Sequence, residues 1–310
     1  MNAPGPTENR PVDIWQQANE DRLRRNAQQW VQSRDTTLFT EEWEGYYVAV
    51  TREGSRLILW MLDADVANTD WIQSAMDLAE PLRLQSSYTQ AMVLSLLWQP
   101  LPQKLFLSGL GGGCLATTLH HHLNWADFVC VEIATPIATA ASRFFGFQED
   151  ERMSLVVSDV RDFLEQDSSE YDIMYLDVFC DHGVTPSHAT EMDFLALCRA
   201  RIRARGLLAM NLGNHDPAFM KVVDALHDLF QTVYTCRGRG STSVLFATDQ
   251  PPRPHAQLMK GAEMLRKRHD FLFALPPWIA RLTQLQPPTP EHFKNPTPPS
   301  ADEHSGASEE

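Results

Sequence analysis

No apolar run in this 310-residue chain approaches the ~20 residues that a bilayer-crossing helix needs. The first residues, MNAPGPTENRPVDIW, lack the apolar centre and cleavage site of a secretory leader, so a cytoplasmic location and no membrane partner are expected. Cysteine is sparse. The five present (Cys114, Cys130, Cys180, Cys198, Cys236) are scattered, odd in number and without a C-x-x-C pair, which fits a reducing compartment and neither a disulfide framework nor a zinc site; no metal is expected. Positive charge is also short. The 26 Lys and Arg stand against 40 Asp and Glu, a net charge of −14, the wrong sign for a nucleic-acid partner. That balance serves solubility before it hints at a cationic substrate. Internal repeats and a nucleophilic Ser/His/Asp set are absent as well.

What is present is organised around Lys104 to Glu132, KLFLSGLGGGCLATTLHHHLNWADFVCVE. A short apolar run ends in Gly109-Leu110-Gly111-Gly112-Gly113, a helical segment follows to about Leu123, and a second apolar run stops at Glu132. This reads as strand, glycine turn, helix and strand with a terminal acid, the opening unit of a nucleotide-binding doubly wound sheet. Glycines let the backbone turn sharply and approach a ligand, and the free N–H groups of the helix start face it.

Upstream, residues 1–12 read as loose, and Asp13 to Val31 as an amphipathic helix capped by Asp13. Tyr46 to Val50 and Arg56 to Leu62 flank a Gly54 turn and predict a hairpin. Tyr88 to Trp98 predicts a buried helix. Downstream the alternation continues with a helix at Pro136 to Phe145, strand three at Ser154 to Val157 and a short helix from Val160. Strand four at Tyr171 to Leu176 follows, then a helix from Thr190 stopped by Gly206, strand five at Leu207 to Leu212 and a helix capped by Asp216. Thr232 to Cys236 and Ser243 to Thr248 flank an Arg-Gly-Arg-Gly turn and predict an antiparallel edge pair, with a last helix near Met259 to Phe273. The expected fold is α/β, a Rossmann-like doubly wound sheet, with an extension over 1–37, a small N-terminal β-hairpin domain over 38–84, a donor-binding catalytic domain over 85–286 and a disordered Pro-rich, acidic tail over 287–310.

Gly109, Gly111 and Gly113 alone are a weak signal. The discriminating feature is that Glu132, Asp159 and Asp177 each end a successive strand, along the edge where open α/β sheets bind ligands. A nicotinamide site needs the first acid only. An adenosyl-sulfonium donor can use all three: the first for the ribose diol, the second with the Val160 N–H for adenine, the third beside the sulfonium and the attacking group.

In this order the residues resemble the spermidine synthase family of aminopropyltransferases, over about Gln73 to Thr248. The matching pieces are the hairpin, SSYTQAM around Tyr88, LGLGGG, VCVEI, VSDVRDFL, YDIMYLDVF and SVLFAT. The resemblance implies a methyltransferase-type Rossmann domain, a homodimer, and decarboxylated or ordinary S-adenosylmethionine as co-substrate with a small-molecule amine as its partner. It makes Glu132 the ribose ligand, Asp159 and Val160 the adenine contacts, Asp177 the acid that activates the amine, and Tyr88 a wall of the active site. Two departures stand out. Cys114-Leu115 replaces the family's Asp-Gly after the glycines, and the second acid after strand four, Asp181, is displaced by one. The first removes the group expected to hold an aminopropyl ammonium, so a methyltransferase or a non-catalytic nucleoside-binding relative are the alternatives to an aminopropyltransferase.

Other features read as structural. His120, His121 and His122 follow one another on a helix and point in different directions, which suits surface or partly buried histidines rather than a metal. Cys114 at a helix start is open to a lowered pKa but reads first as a small turn residue. Asp181 and His182 are the exception: in the loop after strand four they read either as gating the pocket or contacting an acceptor, which makes Asp181 a catalytic candidate with Asp177 and Tyr88, or as plain solvated loop residues. The arginines from Arg199 to Arg205 read as the exposed end of a helix.

Overall fold

The structure, a computed structural model, describes residues 14–63, 70–178 and 185–287. Residues 1–13, Cys180, Asp181, His182 and the stretch from residue 288 onward lie outside the described residues, and with them the expected loose start, helix cap, second loop acid and acidic tail.

Helix α1 (Ile14–Val31) precedes a four-stranded antiparallel meander, β1 (Thr36–Trp43), β2 (Tyr46–Glu53), β3 (Arg56–Asp63) and β4 (Asp70–Asp77), in the order β1-β2-β3-β4. The hairpin expected from sequence is its centre, turning at Gly54 and Ser55. The sheet is nonetheless larger than a hairpin. Strand β1 (TTLFTEEW) buries no residue fully and so carries no two-residue apolar alternation to announce it. Val48, Val50, Leu57 and Leu59 form one core with Ala27 of α1 and with Ile137, Ala140 and Phe144 further on.

Helix α2 (Ser87–Met92) runs into a 3-10 segment, Val93–Leu97, and leads to an eight-stranded sheet. Its elements alternate as β5 (Lys104–Ser108), α3 (Cys114–His122), β6 (Asp127–Glu132), α4 (Thr135–Phe144), β7 (Met153–Val157), α5 (Val160–Gln166) and β8 (Tyr171–Leu176). They continue as α6 (Met192–Ala200), β9 (Ile202–Gly213), α7 (Phe219–Leu229), β10 (Thr232–Arg237), β11 (Thr242–Thr248), α8 (His255–Arg268), α9 (Pro276–Ile279) and β12 (Leu282–Leu285). The order is β12-β10-β11-β9-β8-β5-β6-β7; the five strands from β9 to β7 are parallel and the other three antiparallel. Leu105 to Leu107, Ile173 to Leu176 and Leu207 to Met210 are buried throughout, as strands covered on both faces must be.

Three expectations change. Gly206 does not stop a helix: α6 ends at Ala200 and Gly206 lies inside β9, after Arg205 at φ +70°. The register against β8 shifts there, a bulge, and a Cβ on Gly206 would fall 2.5 Å from Ile202 Cγ2. The antiparallel pair β10–β11 is not the edge, because the four-residue β12 pairs outside β10. Finally, the last helix begins earlier, at His255, and a second short one follows.

Candidate active site

The chain leaves β5 through β6 to β7 on one side and returns to β8 on the other, so the connections diverge between β5 and β8, where open α/β sheets offer a crevice. Gly109 follows β5 and Asp177 follows β8. The Gly109 N–H donates to the Val131 carbonyl at 3.0 Å and the Asp177 N–H to the Ser108 carbonyl at 2.9 Å. Gly109 sits at φ +81°, and a Cβ there would lie 1.9 Å from the Asp177 carbonyl oxygen. Only glycine permits the two strand ends to meet so closely.

The Asp177 carboxylate accepts a hydrogen bond from Asn211 Nδ2 at 2.9 Å and another from the Tyr88 phenol. Burial pushes its pKa up to about 6 against both bonds, with the charge of Glu132 acting in the same direction. Burial and the neighbouring carboxylate hold the Tyr88 phenol well above its ordinary range, so it stays protonated and donates. Asn211 is 1% exposed, and its Oδ1 has no partner among the described residues, leaving an acceptor beside the carboxylate. The sequence reading missed Asn211. Its signal was a polar residue in an otherwise apolar strand end, AMNLG.

Glu132 is 5% exposed, and its two oxygens accept from the backbone N–H groups of Leu110 at 2.8 Å and Ala134 at 3.0 Å, with Gly111 and Ile133 also donating. Burial raises its pKa against these four bonds. The acid that ends β6 therefore ties the glycine turn to the start of α4, a task that spacing alone does not reveal. Cys114 opens α3, with its Sγ 3.4 Å from Ser74 Oγ and within reach of the Ala75 carbonyl. Its thiol is raised, not lowered, because burial outweighs these contacts and the helix start. Ser74 and Gln73 belong to β4, so the small sheet leans on the glycine turn.

A narrow cavity between these elements has Gln73, Ser74, Tyr88, Gly109, Cys114 and Asp177 in its wall. Gly111 and Gly113, both at positive φ, shape the turn without lining the cavity. Asp159 and Val160 stand two strands away, at the end of β7. Asp159 caps α5 by accepting from the Arg161 and Asp162 N–H groups, His188 Nε2 lies 3.6 Å from its Oδ2, and Val160 is buried. Asp181 lies outside the described residues.

The three consecutive histidines are more buried than expected, at 3%, 8% and 8% exposure. His120 Nε2 lies 3.2 Å from Asp150 Oδ1, and burial depresses the pKa of that ring to about 4. The His122 ring packs edge-on against Phe271 and is likewise depressed by burial. Among the described residues no group of His, Cys, Asp or Glu is arranged to hold a metal, and no helix is long and apolar enough to cross a membrane. Three arginines at the end of α6 and just after it are engaged rather than free: Arg199 pairs with Asp249, Arg203 with Asp172 at 2.9 Å, and Arg201 donates to the Leu164 carbonyl.

No family profile matches the chain. Individual relatives do. A polyamine aminopropyltransferase of Chromobacterium violaceum is 27% identical over 230 residues, 73% of this chain and 87% of that protein. An eEF1A lysine and N-terminal methyltransferase of Xenopus laevis is 27% identical over 219 residues, 62% of this chain and 32% of that one. Among solved structures, a probable spermidine synthase of Corynebacterium glutamicum superposes with a TM-score of 0.62 over 74% of this chain and 88% of that one, at 16% identity. Human methyltransferase-like protein 13, solved in complex with SAH, is 25% identical, with a TM-score of 0.55 over 59% of this chain and 91% of that one. The fold and these relatives define a transferase on the methyltransferase-type α/β fold. Within that class the chain resembles the spermidine synthase family, with protein methyltransferases as further kin.

Proposed function

We propose that the chain is a spermidine-synthase-like aminopropyltransferase, moving an aminopropyl group from decarboxylated S-adenosylmethionine to an amine acceptor in polyamine biosynthesis. The observation that carries this reading is that Tyr88 and Asp177 line one cavity with Gly109 of the glycine turn, the carboxylate being held from behind by Asn211. The residues fit an adenosyl donor: Gly109 and Leu110 of the glycine turn line the cavity beside Asp177, and Glu132, Asp159 and the Val160 N–H stand at the next two strand ends for ribose and adenine. The sulfonium supplies an electrophilic carbon. The acceptor nitrogen bonds to that carbon, the carbon–sulfur bond breaks, and its electron pair stays on sulfur as methylthioadenosine. Asp177 receives the proton the nitrogen sheds, and a carboxylate poised near pH 6 is a better base for this than an ordinary aspartate. Tyr88 and Asn211 orient that carboxylate.

Methyl transfer from ordinary S-adenosylmethionine is the second reading, favoured by Cys114. The neutral thiol, with Ser74 and Gln73, gives the donor tail no anionic partner of the kind an aminopropyl ammonium needs. Offering the protein each donor separately with a panel of amines tests both. Amine-dependent methylthioadenosine supports the first reading, and S-adenosylhomocysteine supports the second. Donor binding without either product leaves a non-catalytic nucleoside-binding protein. Cys114→Asp is expected to shift donor preference toward the decarboxylated form. Under either transferase reading the protein works in the cytoplasm as a homodimer, which sedimentation checks.

A further inference from the structure

The Arg-Gly-Arg-Gly turn between β10 and β11 concentrates positive charge in a chain whose net charge is −14. It stands at the ligand-binding edge of the sheet: Thr242 pairs with Gly213, two residues beyond Asn211, and the Asn214 N–H donates to the Ser241 carbonyl at 2.7 Å. The Arg239 N–H donates to Ser87 Oγ at 3.1 Å, and Ser87 precedes Tyr88 on α2. The tip is built rather than loose. Arg281 donates to the carbonyls of Arg237 at 3.4 Å and Gly238 at 3.2 Å, and the Arg239 and Arg281 guanidiniums lie 5.8 Å and 5.7 Å from the centre of the buried Trp278 ring. Arg237, Arg239 and Arg281 are exposed, and none has an acidic partner among the described residues. The described wall of the cavity below contains one carboxylate, Asp177.

A free polyamine carries an ammonium at each end and would meet three guanidiniums on its way to the one carboxylate of the described wall. We propose that the acceptor is an amine that also bears a carboxylate, the carboxylate docking on Arg237 and Arg239 while the amine reaches Asp177. Arginine suits this because its planar fork binds carboxylate through two parallel hydrogen bonds. The inference rests on the transferase reading for turnover but not for binding. The carboxylate belongs either to a free amino acid or to an acidic peptide with a lysine or a free N-terminus, the same chemistry in both.

The test compares matched amines on the full-length protein in the presence of methylthioadenosine or S-adenosylhomocysteine. Calorimetry measures 1,4-diaminobutane, ornithine (the same diamine with a carboxylate) and a short lysine peptide flanked by glutamates, and product assays with both donors run alongside. Ornithine or the peptide is expected to bind about tenfold or more tighter than diaminobutane, from one charge-assisted pair. The preference should shrink with added salt, and in Arg237→Glu/Arg239→Glu it should vanish or invert while donor affinity stays unchanged. Arg237→Gln/Arg239→Gln serves if the charge reversal fails to fold. Tighter binding of ornithine identifies a free amino acid, and of the peptide a protein. Equal or better binding of diaminobutane, no binding of any amine, or a preference that survives in the double variant overturns the proposal. Binding that depends on Arg237 and Arg239 but gives no product from either donor leaves this inference standing and overturns the transferase reading instead.

Discussion

The ends of β6 and β8 each place an acid at the same edge of one sheet, and the two acids have opposite surroundings. Glu132 is enclosed by four backbone N–H groups, two from the glycine turn and two from the start of α4. Asp177 is held by two side chains, Tyr88 and Asn211, and faces a cavity. Burial raises the pKa of both, so burial is not what separates them. A carboxylate fixed by main chain is part of the scaffold. One fixed by side chains on two other elements keeps an open side and can exchange a proton.

The sharpest way to break this contrast is to remove the charge at the reactive end. Asp177→Asn is expected to lower kcat by 10²- to 10⁴-fold, the usual worth of a positioned base. Donor affinity by calorimetry should change less than threefold; full activity in the variant would take Asp177 out of the mechanism. Next in size is the contact that brings the two strand ends together. Gly109→Ala needs a Cβ where the Asp177 carbonyl already sits, so an unfolding free energy lower by about 3 kcal/mol or more is expected in denaturant titration. At the scaffold end, Glu132→Gln presents an amide N–H₂ to backbone donors and should cost about 2 kcal/mol of stability. If Glu132 also holds ribose, the same variant weakens donor binding beyond what its lower stability explains.

The smallest effect is in pH. Turnover that needs the Asp177 carboxylate should fall tenfold per unit below about pH 6. Tyr88→Phe removes a bond to the ionised form and should move that midpoint up by about one unit. Stability runs the other way. A carboxyl whose folded pKa is raised binds its proton more tightly folded than unfolded, so its contribution favours the fold at low pH and is lost as pH rises through about 6. Asp177→Asn, free of that loss, should gain on the wild type in melts between pH 4 and 7.

Much of the sheet was legible because parallel strands buried on both faces read as unbroken apolar runs, LFL and IMYL among them, each ending in glycine or an acid. The small sheet was only half legible, since β1 carries no apolar alternation. Gly206 misled because a glycine after a helical stretch usually ends it, whereas here a bulge requires it. At the site, Asp177 and Tyr88 were readable from their strand end and motif. Asn211 was not, because a single buried amide has no pattern until the neighbouring strand gives it a partner. The histidines were misjudged because their neighbours, α1 and the segment after α8, lie about a hundred or more residues away in sequence.

That last separation has a consequence for how the protein is made. Helix α1 docks on α3 and the turn after α4: Gln16 donates to the His121 carbonyl at 2.8 Å and Arg22 to the Gly146 carbonyl at 2.8 Å, contacts spanning 105 and 124 residues of sequence. At a synthesis rate of about 5–20 residues per second, α1 waits roughly 5–25 seconds outside the ribosome before its binding surface exists. Ala27 meets Val48, Val50, Leu57 and Leu59 soon after it is made, but Leu23, which packs beside Gly146, stays uncovered throughout that interval.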